Sequence, residues 1–173
     1  PGSGDGGDTR LLHGRVAKTH PIIAAVGVLD EVNAMLGLAL AFELDQAARH
    51  DVTLMQKYIY QVSAALAARG AWVTEPPAAA LVQHMNEAIE RLQDELPHEH
   101  GFIQYAGCPG PAALQVARAI CRRAELALWR VAETEQLQPE LLHVVNRMSL
   151  WMYYVARRAN LLLGQREQKI KRV

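Results

Sequence analysis

Apolar residues recur at helical spacing over most of the chain. From Ile22 to about Phe42, the residues Val28, Leu29, Val32, Met35, Leu36 and Leu40 form a wide stripe interrupted only by Gly27 and Gly37. A second helix is predicted from about Asp51 to Arg69, with Leu54, Tyr58, Ile59, Val62 and Leu66 on one side and Asp51 placed to cap it. The run TEPPAAAL breaks the pattern. A third amphipathic helix follows from about Ala78 to Leu96, turning Leu81, Met85, Ile89 and Leu92 inward and Glu87, Glu90, Arg91 and Asp94 outward, until Pro97 stops it. After the irregular HEHGFIQYAGCPGP, a fourth helix starts at Pro111 and runs to about Thr134. The fifth starts at Pro139 and reaches about Leu163, with Gly164 as its C-cap. No strand of normal length with period-2 alternation appears, and residues 1–21 read as a long loop. The pattern predicts one all-α domain over 1–173: an N-terminal loop (1–21), a five-helix bundle with ferritin-like up-down packing (22–164) and a basic tail (165–173).

Composition narrows the function. Half of the 173 residues are apolar, enough for a proper core, and 18 basic residues balance 18 acidic ones. Zero formal charge removes the bulk electrostatic case for a nucleic-acid or membrane-surface partner. The uncharged run Ala106 to Ala117 is Gly/Pro-rich and too short to span a bilayer, so no membrane segment is expected. Cys108 and Cys121, with no leader pattern, read as reduced thiols of a cytoplasmic protein.

Charges in apolar helices are the informative feature. In ARAICRRAELAL, Arg118, Arg122 and Glu125 stand at i, i+4 and i+7 on one helix face, and the fifth helix likewise embeds Asn146, Arg147, Arg157 and Asn160. A lone arginine there is usually solvated or paired within its helix, as Arg122 with Glu125. Several on one face point to a polyanion site, where guanidinium groups grip phosphate oxygens and Glu125 positions a divalent ion or an arginine. The Gly-rich GSGDGGDTR supplies backbone N–H groups for phosphates, with Thr9, Arg15 and Lys18 as side-chain donors, although it lacks the P-loop order and reads equally well as a flexible terminus. Asp30 and Glu31 in the first helix are either solvated or paired, with Arg118 as an available partner in the same chain or across a subunit boundary. His98 and His100 lack a third ligand at metal spacing. No nucleophile–base signature can be placed.

Taken together, SGDGGDTRL, GVLDEVNAMLG, FIQYAGCPGPAALQVARAICRRAE and VVNRMSLWMYYVARRAN resemble, in order and over nearly the whole chain, the PduO-type ATP:cob(I)alamin (corrinoid) adenosyltransferases. The resemblance implies a homotrimer of five-helix bundles with the site between subunits. Its reaction would transfer the 5′-deoxyadenosyl group of ATP to Co(I) of a reduced corrinoid, forming adenosylcobalamin and releasing triphosphate. Carried onto matching positions, the loop with Gly4, Asp5, Gly7, Thr9 and Lys18 wraps the phosphates, and Arg122, Glu125 and Asn146 contact ATP or, through Glu125, its Mg²⁺. Asp30 and Arg118 form the intersubunit ion pair, and Phe102 displaces the lower axial ligand of cobalt. Phe102, Arg122 and Glu125 are thus the expected catalytic residues. A corrinoid reductase or an adenosylcobalamin-dependent enzyme is the protein partner implied, with neither nucleic acid nor membrane.

The chain also departs from that pattern. Leu126 and Ala127 stand where basic residues are frequent, Leu150 where an Asp usually follows, Gln115 in place of a common His, QYAG in place of a Leu-Pro-Gly-Gly run, and Gly2 where a basic residue is usual. Retention of Phe102, Asp30, Arg122, Glu125 and Asn146 favours catalysis, whereas Leu126, Leu150 and Gly2 favour the alternative: a catalytically impaired relative that binds ATP or corrinoid as carrier or sensor.

Overall fold

The computed structural model describes residues 4–12, 14–72, 74, 77–97, 102–165 and 168–170. Two short strands, β1 (Asp8–Leu11) and β2 (Gly14–Ala17), precede five helices: α1 (Pro21–Leu40), α2 (Gln46–Ala67), α3 (Ala78–Glu95), α4 (Pro109–Ala132) and α5 (Pro139–Leu162). The five predicted helices are present. The N-terminal region differs from the expected plain loop, because β1 and β2 pair antiparallel with Asp8 opposite Ala17 and Leu11 opposite Gly14. Strands of four residues are too short for their alternation to rise above noise in the sequence.

Helix boundaries follow local chemistry. His20 opens α1, its ring Nδ1 accepting the Ile22 N–H at 3.2 Å. Helix α2 starts earlier than predicted: Asp45 is its cap, the Oδ1 atom accepting the Ala47 and Ala48 N–H groups at 3.1 and 3.3 Å. Asp51, the expected cap, is instead buried well inside that helix. The intervening Gln-Ala-Ala-Arg-His run is helix-permissive, so the earlier Asp wins. Helix α4 begins at Pro109 rather than Pro111, since its first-turn N–H groups have no intrahelical acceptor and both prolines are tolerated there. Gly164 takes φ +74° just beyond α5, as a C-cap glycine should.

The core is one apolar cluster to which every helix contributes. Helix α1 packs along α4, α4 along α5 and α3 along α5, while α2 bridges α1 and α5. Leu29, Leu36, Met55, Leu81, Leu114, Leu128 and Trp151 are fully buried, each contributing on the order of 1.5–3 kcal/mol by leaving water. Helix α1 is long and apolar enough to cross a membrane by length and composition alone. Its buried face, however, joins the bundle core, and Asp30 and Glu31 stand exposed at its middle.

Two charged groups tie α2 to its neighbours. Arg158 of α5 donates to both Asp45 and Glu95, joining the α2 cap to the end of α3. Asp51 has the Arg91 guanidinium at 4.0 Å, and burial pushes its carboxyl above the ordinary range despite the lowering by Arg91 and, more weakly, by His50, Trp151 and Arg158. A carboxyl with a raised folded-state pKa lets the folded chain hold a proton that the unfolded chain has lost, so its contribution to stability declines as pH rises through that window. Asp51→Asn is therefore expected to raise stability at neutral pH and to flatten the acid-side slope, as read from urea midpoints across pH 4–7. Asp45→Ala should cost about 2 kcal/mol in the same measurement, whereas Asp45→Asn, which still caps, should cost less than about 1 kcal/mol.

Candidate active site

Helices α4 and α5 lie against each other, and their polar positions meet on one edge. Cys121 Sγ contacts the Val145 carbonyl at 3.5 Å inside the seam, while one turn outward Asn146 Nδ2 donates to Glu125 Oε1 at 3.0 Å. Further along, a cleft of about 440 Å³ is lined by Phe102, Ile103, Tyr105, Arg118, Arg122, Asn146, Ser149, Leu150 and Tyr153. Two arginines and no carboxylate face it, so it attracts anions, while its aromatic side suits a flat apolar body.

The structure brings Phe102, Arg118, Arg122 and Asn146 together from three separate segments, with Glu125 joined through Asn146. Arg122 is exposed and has no acceptor among the described residues, which leaves its guanidinium open to a phosphate. An intrahelical Arg122–Glu125 pair does not form; the Glu125 carboxylate accepts the Asn146 amide instead. Asp30 and Arg118 do not pair within the chain. The ion pair between α1 and α4 is Glu31 with Arg123, an arginine for which the sequence suggests no role. Arg118 instead lies over the Tyr105 ring at 4.6 Å and donates from Nε to Gln115 Oε1 at 2.9 Å.

None of Gly4, Asp5, Gly7, Thr9 and Lys18 lines the cleft. They gather at the base of the hairpin: Gly7 N–H donates to Gly4 O at 3.3 Å, Lys18 N–H to Gly7 O at 2.8 Å, and Thr9 pairs with Val16. His20, at the foot of that hairpin, faces Glu135 beyond the end of α4 at 3.7 Å. The hairpin is thus anchored at the C-terminal end of α4, roughly 20 Å along the helix from Arg118. His98, His100 and Gly2 lie outside the described residues. Leu150 lines the cleft, whereas Leu126 is 63% exposed and does not.

Sequence reasoning missed how the Phe102 segment is held. Asn160, 8% exposed, accepts the Cys108 N–H at 3.1 Å and donates to Ala106 O at 2.9 Å. Gly107 between them has φ +117°, and a Cβ there would fall 2.2 Å from Asn160 Oδ1. On its other side the segment pairs with the tail: Gln104 N–H donates to Gln168 O at 2.8 Å and Ile170 N–H to Phe102 O at 2.9 Å. Residues 168–170, expected only as part of a basic tail, thus form one edge of the support. Asn160 signalled itself as a polar residue in an apolar helix, but its partners are 52 and 54 positions away. Cys121 is buried and its thiol is pushed up to about 12 by burial and then by Glu125, so it stays protonated and unreactive.

Comparison with known proteins then bears on the site. A family model described as cobalamin adenosyltransferase matches residues 2–159. The corrinoid adenosyltransferase PduO of Salmonella typhimurium is 32% identical over 163 residues, covering 90% of this chain and 47% of that protein. A Bacillus subtilis corrinoid adenosyltransferase is 30% identical over 170 residues, covering 94% of this chain and 86% of that one. The chain therefore spans about half the length of the Salmonella relative and most of the Bacillus one. Among solved structures, a variant PduO-type ATP:corrinoid adenosyltransferase from Lactobacillus reuteri, complexed with cobalamin and ATP, superimposes with a TM-score of 0.89 at 26% identity. It covers 98% of this chain and 97% of that one.

Gly107→Ala is expected to break the clamp, since the added Cβ meets the buried amide and the backbone favours glycine. Asn160→Ala, which leaves the Cys108 N–H and the Ala106 carbonyl without their partner, should lose about 2–4 kcal/mol. In both variants, hydrogen exchange at Cys108 should accelerate far more than at buried positions of α1.

Proposed function

The chain belongs to the cobalamin adenosyltransferase family, and from that premise we propose that it transfers the 5′-deoxyadenosyl group of ATP to the Co(I) centre of a reduced corrinoid. Co(I) is itself the nucleophile: its electron pair forms the Co–C5′ bond as the C5′–O bond breaks and triphosphate departs. The protein then needs no activated Ser or Cys, which accords with the lack of a nucleophile–base pair in the sequence. Its tasks are to hold C5′ within attack distance, to stabilise the charge on the leaving triphosphate and to keep water away. The observation that carries this reading is the cleft, which Arg118, Arg122 and Asn146 line together with Phe102.

In this reading Arg122 binds triphosphate oxygens. Phe102, 77% exposed at the cleft rim, meets the corrinoid face and displaces the lower axial ligand. Among the described residues no group of three or more His, Cys, Asp or Glu is placed to hold a metal. A lone carboxylate, Glu125, fits Mg²⁺ that is bound mainly through phosphate and water. When bound, that ion neutralises charge on the triphosphate.

The site would be completed across subunits of a homotrimer. The Gly4–Lys18 hairpin, anchored at the far end of α4, would supply its N–H groups and Lys18 to the cleft of a neighbouring copy. Asp30, exposed on α1, would meet that copy's Arg118. The outward face of α1, with Ala24, Gly27, Ala34 and Leu38 exposed, gives such a contact an apolar floor. Free Cys108 and Cys121 suit a reducing cytoplasm. A corrinoid reductase would supply the Co(I) substrate. One observation favours the second reading, a binding relative with impaired turnover: Leu150 lines the cleft without offering a polar group.

The test mixes the chain with Mg-ATP and chemically reduced cobalamin and follows the visible spectrum. Adenosylcobalamin should accumulate; ATP binding with no spectral change would reject transfer and leave the carrier reading. Arg122→Ala should lower kcat/KM at least about a hundredfold, in line with loss of a charge-assisted contact to the leaving group, while its melting temperature stays within a few degrees. Phe102→Ala should leave ATP binding intact and slow transfer to cobalamin.

A further inference from the structure

Arg118 differs from Arg122 in how it is held. The face of its guanidinium rests on the Tyr105 ring at 4.6 Å, and its Nε donates to Gln115 Oε1 at 2.9 Å. Gln115 is itself 7% exposed and lies one turn earlier on α4, so its amide is a fixed acceptor. The two terminal amino groups of Arg118 have no acceptor among the described residues. Two contacts from its own chain therefore fix the plane of the fork and leave its outer edge open. An arginine side chain loses considerable rotamer freedom when it pairs, and one held in place beforehand loses less.

We propose that Tyr105 and Gln115 are positioning residues that preset Arg118 for a carboxylate supplied by a second copy of this chain. The proposal rests on the reading above, in which the site is completed between subunits. Tyr105 gives the arrangement a second consequence. It sits three residues from Phe102 on the segment held by Asn160 on one side and by residues 168–170 on the other. The ring that sets Arg118 and the ring placed at the cleft are thus carried on one hydrogen-bonded segment.

A double-mutant cycle tests it, with assembly followed by sedimentation over a range of protein concentrations and with KM for ATP and kcat measured on the assembled protein. Tyr105→Leu should weaken assembly and raise KM for ATP by about threefold or more, the range of a cation–π contact. Tyr105→Phe, which keeps the ring, should behave as wild type. In an Arg118→Ala background, Tyr105→Leu should have no further effect. The proposal is overturned if Tyr105→Leu assembles and binds ATP as wild type does. It is equally overturned if the loss is as large without Arg118, since Tyr105 would then act through another contact. A wild-type chain that stays monomeric at every concentration rejects the intersubunit reading itself, and the proposal with it; a wild-type trimer with an inert Tyr105→Leu rejects the proposal alone.

Discussion

The α4–α5 seam constrains everything else in this molecule. Each helix must turn one apolar face inward: Leu114, Cys121 and Leu128 on α4, and Val145, Met148 and Met152 on α5. Once those faces meet, helical geometry leaves no freedom over where the polar positions go. Arg118, Arg122 and Glu125 emerge on the same edge as Asn146, Ser149 and Tyr153, and the Glu125–Asn146 hydrogen bond closes that edge at one end. A register shift of one residue on either helix would rotate its polar stripe by about 100° and dissolve the cleft. The apolar core and the polar edge are two faces of one packing solution.

The loop segment over that edge is held by a different kind of force. Ile103 is the one buried side chain of residues 102–108, so their position depends mainly on directed hydrogen bonds: the Asn160 amide at one end and the pairing with 168–170 at the other. Gly107 lets the backbone approach the amide closely enough for both bonds to form. A buried amide with both groups satisfied is a stiff support, since moving the loop strands polar groups away from water. Phe102 and Tyr105, both largely exposed, are thereby presented to the cleft without being packed into the core.

The reach of sequence reasoning divides along these lines. Helix existence was legible because apolar residues at i, i+3 and i+4 over 18 to 24 positions leave few alternatives. The sequence leaves the start of α2 open, because an Asp at either end of Gln-Ala-Ala-Arg-His satisfies the capping rule equally well locally. The N-terminal hairpin escaped notice because strands of four residues carry too little pattern. Within the site, the i, i+4, i+7 spacing correctly put Arg118, Arg122 and Glu125 on one face, yet it suggested an intrahelical Arg122–Glu125 pair. The observed partner, Asn146, comes from another helix 21 positions away.

The sequence by itself determined what repeats locally: five amphipathic helices, which residues face inward, and which arginines share a face. Those properties depend on neighbours within about a turn. Only the tertiary structure decided which partner each polar group takes: Asn146 for Glu125, Tyr105 and Gln115 for Arg118, Glu31 for Arg123, Asn160 for the loop at 106–108. Hydrogen bonds and ion pairs act over about 3–4 Å in space, and spacing along the chain says nothing of that distance once the contact joins different elements.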